Sequence, residues 1–391
     1  MIILLTLHQL QEGNQIPYYS FRVQQFNTFY NAHAPTPPSN ARNSNMELLR
    51  IIAMLFILML HVNFMSLGTP NSVDFNINPL TSFLRLEFEA LAIVGVNVFV
   101  LISGWFGIRL RAKSVCKFVF QVLFWGVLVY AIAVLSGLNI HNSQTALKIL
   151  SMQSHWFVLQ YLFLMLLSPI LNAYIEKSGR QQLRKFLIYF FLLQTIFDWA
   201  HPFWEIYKSG YSVVSFIGLY LLGRYLNTYK PSVTSWKFSR LTLMYLAMST
   251  IPALLVGLII WQNPTESLTA RACPWLMSYC SPFVIMASVC LVLAFSKIKL
   301  QKRWINWVAA SAFSVYLIHM HPSIFIYYKN FSRFIYEQYS VIGYLSIIAL
   351  FMISVFIACI LLDQLRLTAW ILLSKLYSAN NTRERQSSIK S

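Results

Sequence analysis

The chain has 391 residues, 57% of them hydrophobic and 11% charged, with a formal net charge of +18. Soluble domains carry about a quarter charged residues, and several windows of about twenty residues here lack charge, the length that crosses a bilayer as a helix. Those runs are continuous rather than short and alternating, which excludes a β-barrel as well as a soluble domain and leaves an all-α integral membrane protein.

Residues 1–45 are rich in Gln and Asn and include "HAPTPPSN". They read as a disordered extension. The opening "MIILLTL" is too short for a secretory signal and lacks its basic flank, and Met46 is a natural alternative start. Ten spans are predicted in residues 46–362, at about 46–66, 88–108, 118–136, 155–175, 186–200, 209–226, 241–261, 272–296, 304–328 and 338–362. Residues 363–391 read as a cytoplasmic tail. The longest outer loop, 67–87, leaves no room for a large soluble domain. With the N-terminus inside, 24 of the 30 Lys and Arg fall on cytoplasmic segments, so both termini are expected there. The excess charge is therefore topological, and no nucleic-acid partner is expected. Five cysteines stand singly, without CxxC or Cys/His ligand spacing, so no metal is expected.

The first span contains "RIIAMLFILMLH", residues 50–61. Eleven helical steps turn about 1100°, which puts Arg50 and His61 on one face roughly 16 Å apart. Glu47 shares that stripe, in easy ion-pair reach of Arg50. Arg50 alone would read as a snorkelling cation. Two ionisable groups on one intramembrane face point to a cavity instead. Further polar residues converge on the same region. The second span, "GVNVFVLISGWFGIRLR", supplies Asn97 and Ser103 and ends in Arg109 and Arg111. Glu87 and Glu89 stand at its outer start. The fourth span brings His155 and Trp156. The ninth, "SAFSVYLIHMHPS", brings Tyr316 and His319, with His321 before a kinking proline. Each has an ordinary reading too. Trp156 fits an interfacial belt, Ser103 a bond to its own helix, Arg109 and Arg111 topology anchors, and His319 a satisfied bundle histidine.

Together the Arg50–His61 spacing, "NVFVLISGW", "WFVLQYLFLMLLSP" and "SVYLIHMHP" resemble the acyltransferase-3 family over residues 46–362. The resemblance implies a ten-span bundle that moves an acyl group, usually acetyl, from cytoplasmic acyl-CoA to a hydroxyl across the membrane. Acceptors in the family are commonly surface polysaccharides or their lipid-linked precursors, which implies a bacterial inner-membrane location. Many relatives carry an added periplasmic hydrolase-like domain, which this sequence does not contain. His61 would be the general base, assisted or oriented by His319, with an acyl-histidine intermediate as the less favoured variant. Arg109 and Arg111 would take donor phosphates, with Arg50 and Ser103 along the donor path. Glu89, Asn97, Trp156 and Tyr316 would meet the acceptor. The competing readings are a polysaccharide or lipid-linked sugar transporter, a polymerase, and an inactive scaffold. None of these needs acyl-CoA.

Overall fold

The computed structural model describes residues 43–388 apart from 139, 201–205 and 264, with only the backbone of 377–388. Residues 1–42 of the expected extension lie outside the described residues. Ser44 and Asn45 already belong to the first helix. Ser44 is buried, with its hydroxyl 3.0 Å from Asn306 Oδ1, and Asn45 Nδ2 donates to Phe295 O at 3.0 Å.

Among the described residues the regular structure is helical throughout. In chain order the helices are α1 (Ser44–Val62), α2 (Phe64–Leu67), α3 (Ser72–Ile77), α4 (Pro79–Ala92), α5 (Val94–Phe106), α6 (Ala112–Leu135), α7 (Ser143–Leu150) and α8 (Trp156–Lys177). There follow α9 (Arg180–Ala200), α10 (Val213–Tyr229), α11 (Phe238–Gln262), α12 (Glu266–Met277), α13 (Pro282–Ser296), α14 (Arg303–His319), α15 (Phe325–Gln338) and α16 (Val341–Ser388).

Seven stretches are long and apolar enough to cross a membrane: Ser44–Leu67, Pro79–Phe106, Ala112–Leu135, Trp156–Lys177, Phe238–Gln262, Glu266–Ser296 and Val341–Leu376. The other three predicted spans correspond to α9, α10 and α14. The latter two have 17 residues each, about 26 Å of helix against a hydrocarbon core of about 30 Å. The first carries Arg180, Arg184 and Lys185 in its opening turns.

Three boundaries differ from the sequence expectation. The span at 304–328 is two helices, α14 and α15, separated at Met320–Ile324, where Pro322 cannot continue a helix. The span at 272–296 is α12 and α13, with Pro282 opening the second. The outer segment 67–87 is largely helical. Asn71 and Asp74 form a capping box, and Asn78 caps a helix that opens on Pro79. Phe75 is fully buried there, its ring 5.0 Å from Phe83 and 6.4 Å from Trp261, so the segment folds back on α11.

Helix α1 packs on α14, α5 and α4, while α14 also packs on α16 and α6. This places the carriers of His61 and His319 side by side in the interior. Helices α5 and α10 approach through glycines. A Cβ on Gly104 would stand 2.2 Å from Tyr220 O, and one on Gly223 2.4 Å from Leu101 O. Small residues allow such contact where no hydrophobic effect drives helices together. In α8, Pro169 removes the N–H that would bond Met165 O, and the Ser168 hydroxyl donates to that carbonyl at 2.7 Å instead.

Helix α16 continues without a break past residue 362, so Asp363 and Arg366 are interior rather than tail residues. Both are fully buried and form a two-pronged ion pair, Nε to Oδ1 at 2.7 Å and Nη2 to Oδ2 at 2.6 Å. Trp125 Nε1 donates to Asp363 Oδ1 at 2.9 Å, and the Ser314 hydroxyl donates to the same oxygen. Gln121 Nε2 donates to Ser314 Oγ at 2.7 Å. One polar node thus ties α6, α14 and α16.

Replacing Gly104 by Val should separate α5 from α10 and destabilise the bundle by about 1–3 kcal/mol or more, read as a lower melting temperature in detergent. An unchanged melting temperature would contradict the close approach.

Candidate active site

His61 lies in the last turn of α1 and His319 at the last residue of α14. Their rings meet, with His61 Nδ1 2.7 Å from His319 Nε2 and ring centroids 5.0 Å apart. On its far side His319 places Nδ1 2.5 Å from Val315 O. A carbonyl only accepts, so His319 Nδ1 carries the proton there. In a neutral ring Nε2 is then an acceptor, and His61 Nδ1 must donate to it. The hydrogen-bond chain therefore assigns the tautomer. It leaves His61 Nε2 as an unprotonated nitrogen, on a residue that is half-buried as a whole. A charged imidazolium is costly in an apolar interior, which favours the neutral pair.

Rings enclose this dyad. Phe325 stands edge-on to His61 at 5.8 Å, Tyr328 lies 5.5 Å from His319, and Tyr316 lies 6.4 Å from His319. Tyr328 is held by its hydroxyl bond to Leu58 O at 3.0 Å. His321 is buried beside the kink after α14. It accepts from Ser323 N at 3.1 Å through Nδ1, so Nε2 donates to Gly126 O at 3.1 Å. That pins the kink which ends α14 immediately after His319.

From Tyr316 an aromatic series runs toward the start of α6. Tyr316 neighbours Phe313 at 6.0 Å and Phe157 at 6.3 Å, Phe157 stacks on Tyr161 at 5.4 Å, and Phe118 lies 5.6 Å from Tyr161. Ser103 joins this path. Its hydroxyl donates to Phe99 O at 2.9 Å and stands 2.9 Å from the Tyr161 hydroxyl. Phe313 and Phe118 could be reached from sequence only by noticing that aromatics on separate predicted spans share a depth.

At the basic end, Arg109 and Arg111 are exposed in the turn between α5 and α6. That turn is rigid. Ile108 N donates to the Tyr220 hydroxyl at 2.9 Å, which donates to Asn172 Oδ1 at 2.7 Å, and Asn172 Nδ2 donates to Ile108 O at 2.9 Å. Gly107 has a φ of +73° and lies against the Arg224 guanidinium, where a Cβ would come within 3.0 Å of Nη1. Arg224 therefore joins the basic end, and its Nε is buried without a hydrogen-bond partner. Arg50 pairs with Glu47 at 2.8 Å, its side chain 30% exposed.

The acceptor-side residues divide. Glu89 is buried and accepts from Asn63 Nδ2 at 2.9 Å and from Phe64 N at 3.4 Å, two and three residues beyond His61. Arg85 Nε donates to Asn63 Oδ1 at 3.2 Å, so this outer cluster is tied to the end of α1. Trp156 packs against Tyr211 at 4.4 Å and stacks on Tyr279 at 6.1 Å, in an aromatic floor continuous with Phe157. Asn97 is placed differently. It is buried, and its Nδ2 donates to Tyr279 O at 3.0 Å, a tie between α5 and the segment before α13. Glu87 accepts from Thr250 Oγ1 at 2.7 Å and braces α4 against α11. Among the described residues no group of three or more His, Cys, Asp or Glu could hold a metal ion.

The histidine pair, the aromatic series beside it and the exposed arginines of the α5–α6 turn thus belong to one helical bundle. The acyltransferase domain family Acyl_transf_3 matches residues 43–364, and the chain belongs to that family. It is thus a membrane acyltransferase. Comparison with curated proteins and with solved structures returned no match.

Changing His319 to Phe removes the acceptor for His61 Nδ1 and frees that ring to change tautomer. Acyl transfer should fall by about 10²-fold or more, with the protein still monodisperse in detergent. Transfer at the wild-type rate would show that His61 acts without the second ring.

Proposed function

We propose that the protein moves a short acyl group, acetyl in the simplest case, from acyl-CoA on the cytoplasmic side to a hydroxyl of a cell-surface carbohydrate or its lipid-linked precursor. The observation that carries this reading is the His61–His319 pair, with His61 Nε2 free and proton-accepting. In the transfer step that nitrogen takes the proton of the acceptor hydroxyl as the oxygen attacks the thioester carbonyl. The C–S bond then breaks, and the leaving thiolate takes the proton back from His61. While His61 is charged, its Nδ1–H bond to His319 Nε2 stabilises it. The acyl group passes directly to the acceptor, without an acyl-histidine stage.

The donor enters from the basic end. Arg109 and Arg111, on their rigid turn, take the phosphates, since guanidinium forks match phosphate oxygens. Arg50 and Ser103 line the inward path. The acceptor lies between the Trp156 floor, Tyr316 and the Glu89 cluster, where rings stack on sugar faces and a carboxylate orients hydroxyls. Helices α9, α10 and α14 complete a ten-span bundle with both termini in the cytoplasm, in a bacterial inner membrane. The orientation follows the positive-inside distribution of Lys and Arg, and the bacterial inner membrane follows the family resemblance. The catalytic bundle runs from Ser44 through at least Arg366, with the segments before and after it cytoplasmic.

The reading is tested with purified protein in proteoliposomes, labelled acetyl-CoA and a glycan acceptor. His61→Ala should abolish transfer without altering membrane insertion, and normal acylation by that variant would remove His61 from the chemistry. A protein that moves glycan without consuming acetyl-CoA would instead be a transporter. Arg109→Ala combined with Arg111→Ala should raise KM for acetyl-CoA about tenfold or more while kcat changes little. An unchanged KM would move the phosphate site elsewhere.

A further inference from the structure

The Asp363–Arg366 pair has no part in the account above, and stability alone does not explain it. Both residues are fully buried, and a buried ion pair is commonly no better than well-packed apolar residues of similar size. The pair is also incompletely satisfied. Asp363 accepts from Arg366, Trp125 and Ser314, whereas Arg366 Nη1 is buried with no hydrogen-bond partner. An idle cationic donor in such a place carries its full desolvation penalty, and ionisable groups inside membrane bundles mark substrate pathways.

Its depth says which part of a substrate it could meet. Ser314, bonded to Asp363, precedes His319 by five residues on α14, about 7.5 Å toward that helix's basic end. Asp363 lies beside Ser314 and Gln364 beside Ser311, the latter at 3.4 Å, so α16 runs antiparallel to α14. Three residues further along, Arg366 is about 4.5 Å deeper toward the same basic end. The guanidinium therefore sits roughly 8–12 Å below the dyad along the bundle. In a CoA thioester the arm carries two amide carbonyls, about 5 and 10 Å from the sulfur when extended. The diphosphate lies beyond them, where the reading above assigns it to Arg109 and Arg111.

Resting on the acyl-CoA reading of the donor, we infer that Arg366 is a donor-binding residue. Its Nη1 donates to the pantetheine amide carbonyl farther from sulfur, while Asp363, held by Trp125 and Ser314, fixes the guanidinium in place. The arm is thereby gripped at two levels, by its phosphates at the mouth and by an amide midway to the dyad. No bond is made or broken at Arg366.

The test compares two truncated donors, S-acetyl-pantetheine with both amides and S-acetyl-N-acetylcysteamine with only the amide nearer sulfur. In the wild-type protein the ratio of their kcat/KM values should be about tenfold or more in favour of the pantetheine donor, as expected for one charge-assisted hydrogen bond. Asp363→Leu combined with Arg366→Met removes the charges together and keeps the volume. In that protein the ratio should fall to near one. Should that combination fail to fold, Arg366→Lys with Asp363 intact is read by the same ratio and should lower it severalfold. A folded variant that keeps the wild-type ratio makes the pair purely structural and overturns the inference, as does a wild-type ratio near one. Absence of any turnover with acetyl-CoA by the wild-type protein would instead contradict the acyl-CoA reading itself.

Discussion

The structure turns on the hydrogen bond between His61 and His319. It joins the end of α1 to the end of α14 across 258 positions of sequence, and its direction is dictated by a third group, the Val315 carbonyl. Because that carbonyl can only accept, protons are fixed along the whole series, and the outermost nitrogen is left bare. A lone histidine in an apolar helix would have no such assignment. Two rings in sequence, anchored on backbone, give the His61 ring one orientation and one tautomer, as the proposed base requires.

Much of the remaining bundle can be understood as holding those two helix ends in register. Pro322 and His321 end α14 directly after His319, and Tyr328 bonds back to Leu58 one turn before His61. The Asn63–Glu89–Arg85 cluster ties the C-terminal end of α1 to α4. At mid-depth the Asp363 node ties α14 to α6 and α16. Polar groups are few in this chain, and in a bilayer each must find a partner inside the protein. Their bonds therefore fall at helix junctions, where they specify geometry more than they add stability.

The helical membrane class was legible from composition, and so was the pairing of Arg50 with Glu47, because helical periodicity fixes neighbours on one helix. That Arg50 and His61 share one continuous helix followed from the same counting. That His319 would be its partner followed only as a candidate role, since contact between distant helices depends on packing that no periodicity encodes. Asp363 and Arg366 were hidden by their position. A charged pair beyond the last apolar window looks like a tail, although an i, i+3 pair within a continuing helix is compatible with burial once two other helices cover it. The helical outer segment was readable and missed, because Asn71 with Asp74 and Asn78 with Pro79 are cap signatures. At Asn97 a polar residue in an apolar run suggested a substrate contact, and packing that the sequence does not encode also gives its Nδ2 a carbonyl on a neighbouring segment.

The central claim is the proton arrangement of the dyad, and nitrogen NMR on protein with ¹⁵N-labelled histidine measures it directly, the His61 resonances being assigned by their loss in a His61→Asn protein. The account predicts that His61 carries its proton on Nδ1 and that Nε2 is a bare, non-protonated nitrogen. A His61 ring protonated on Nε2 and bare on Nδ1 would contradict it.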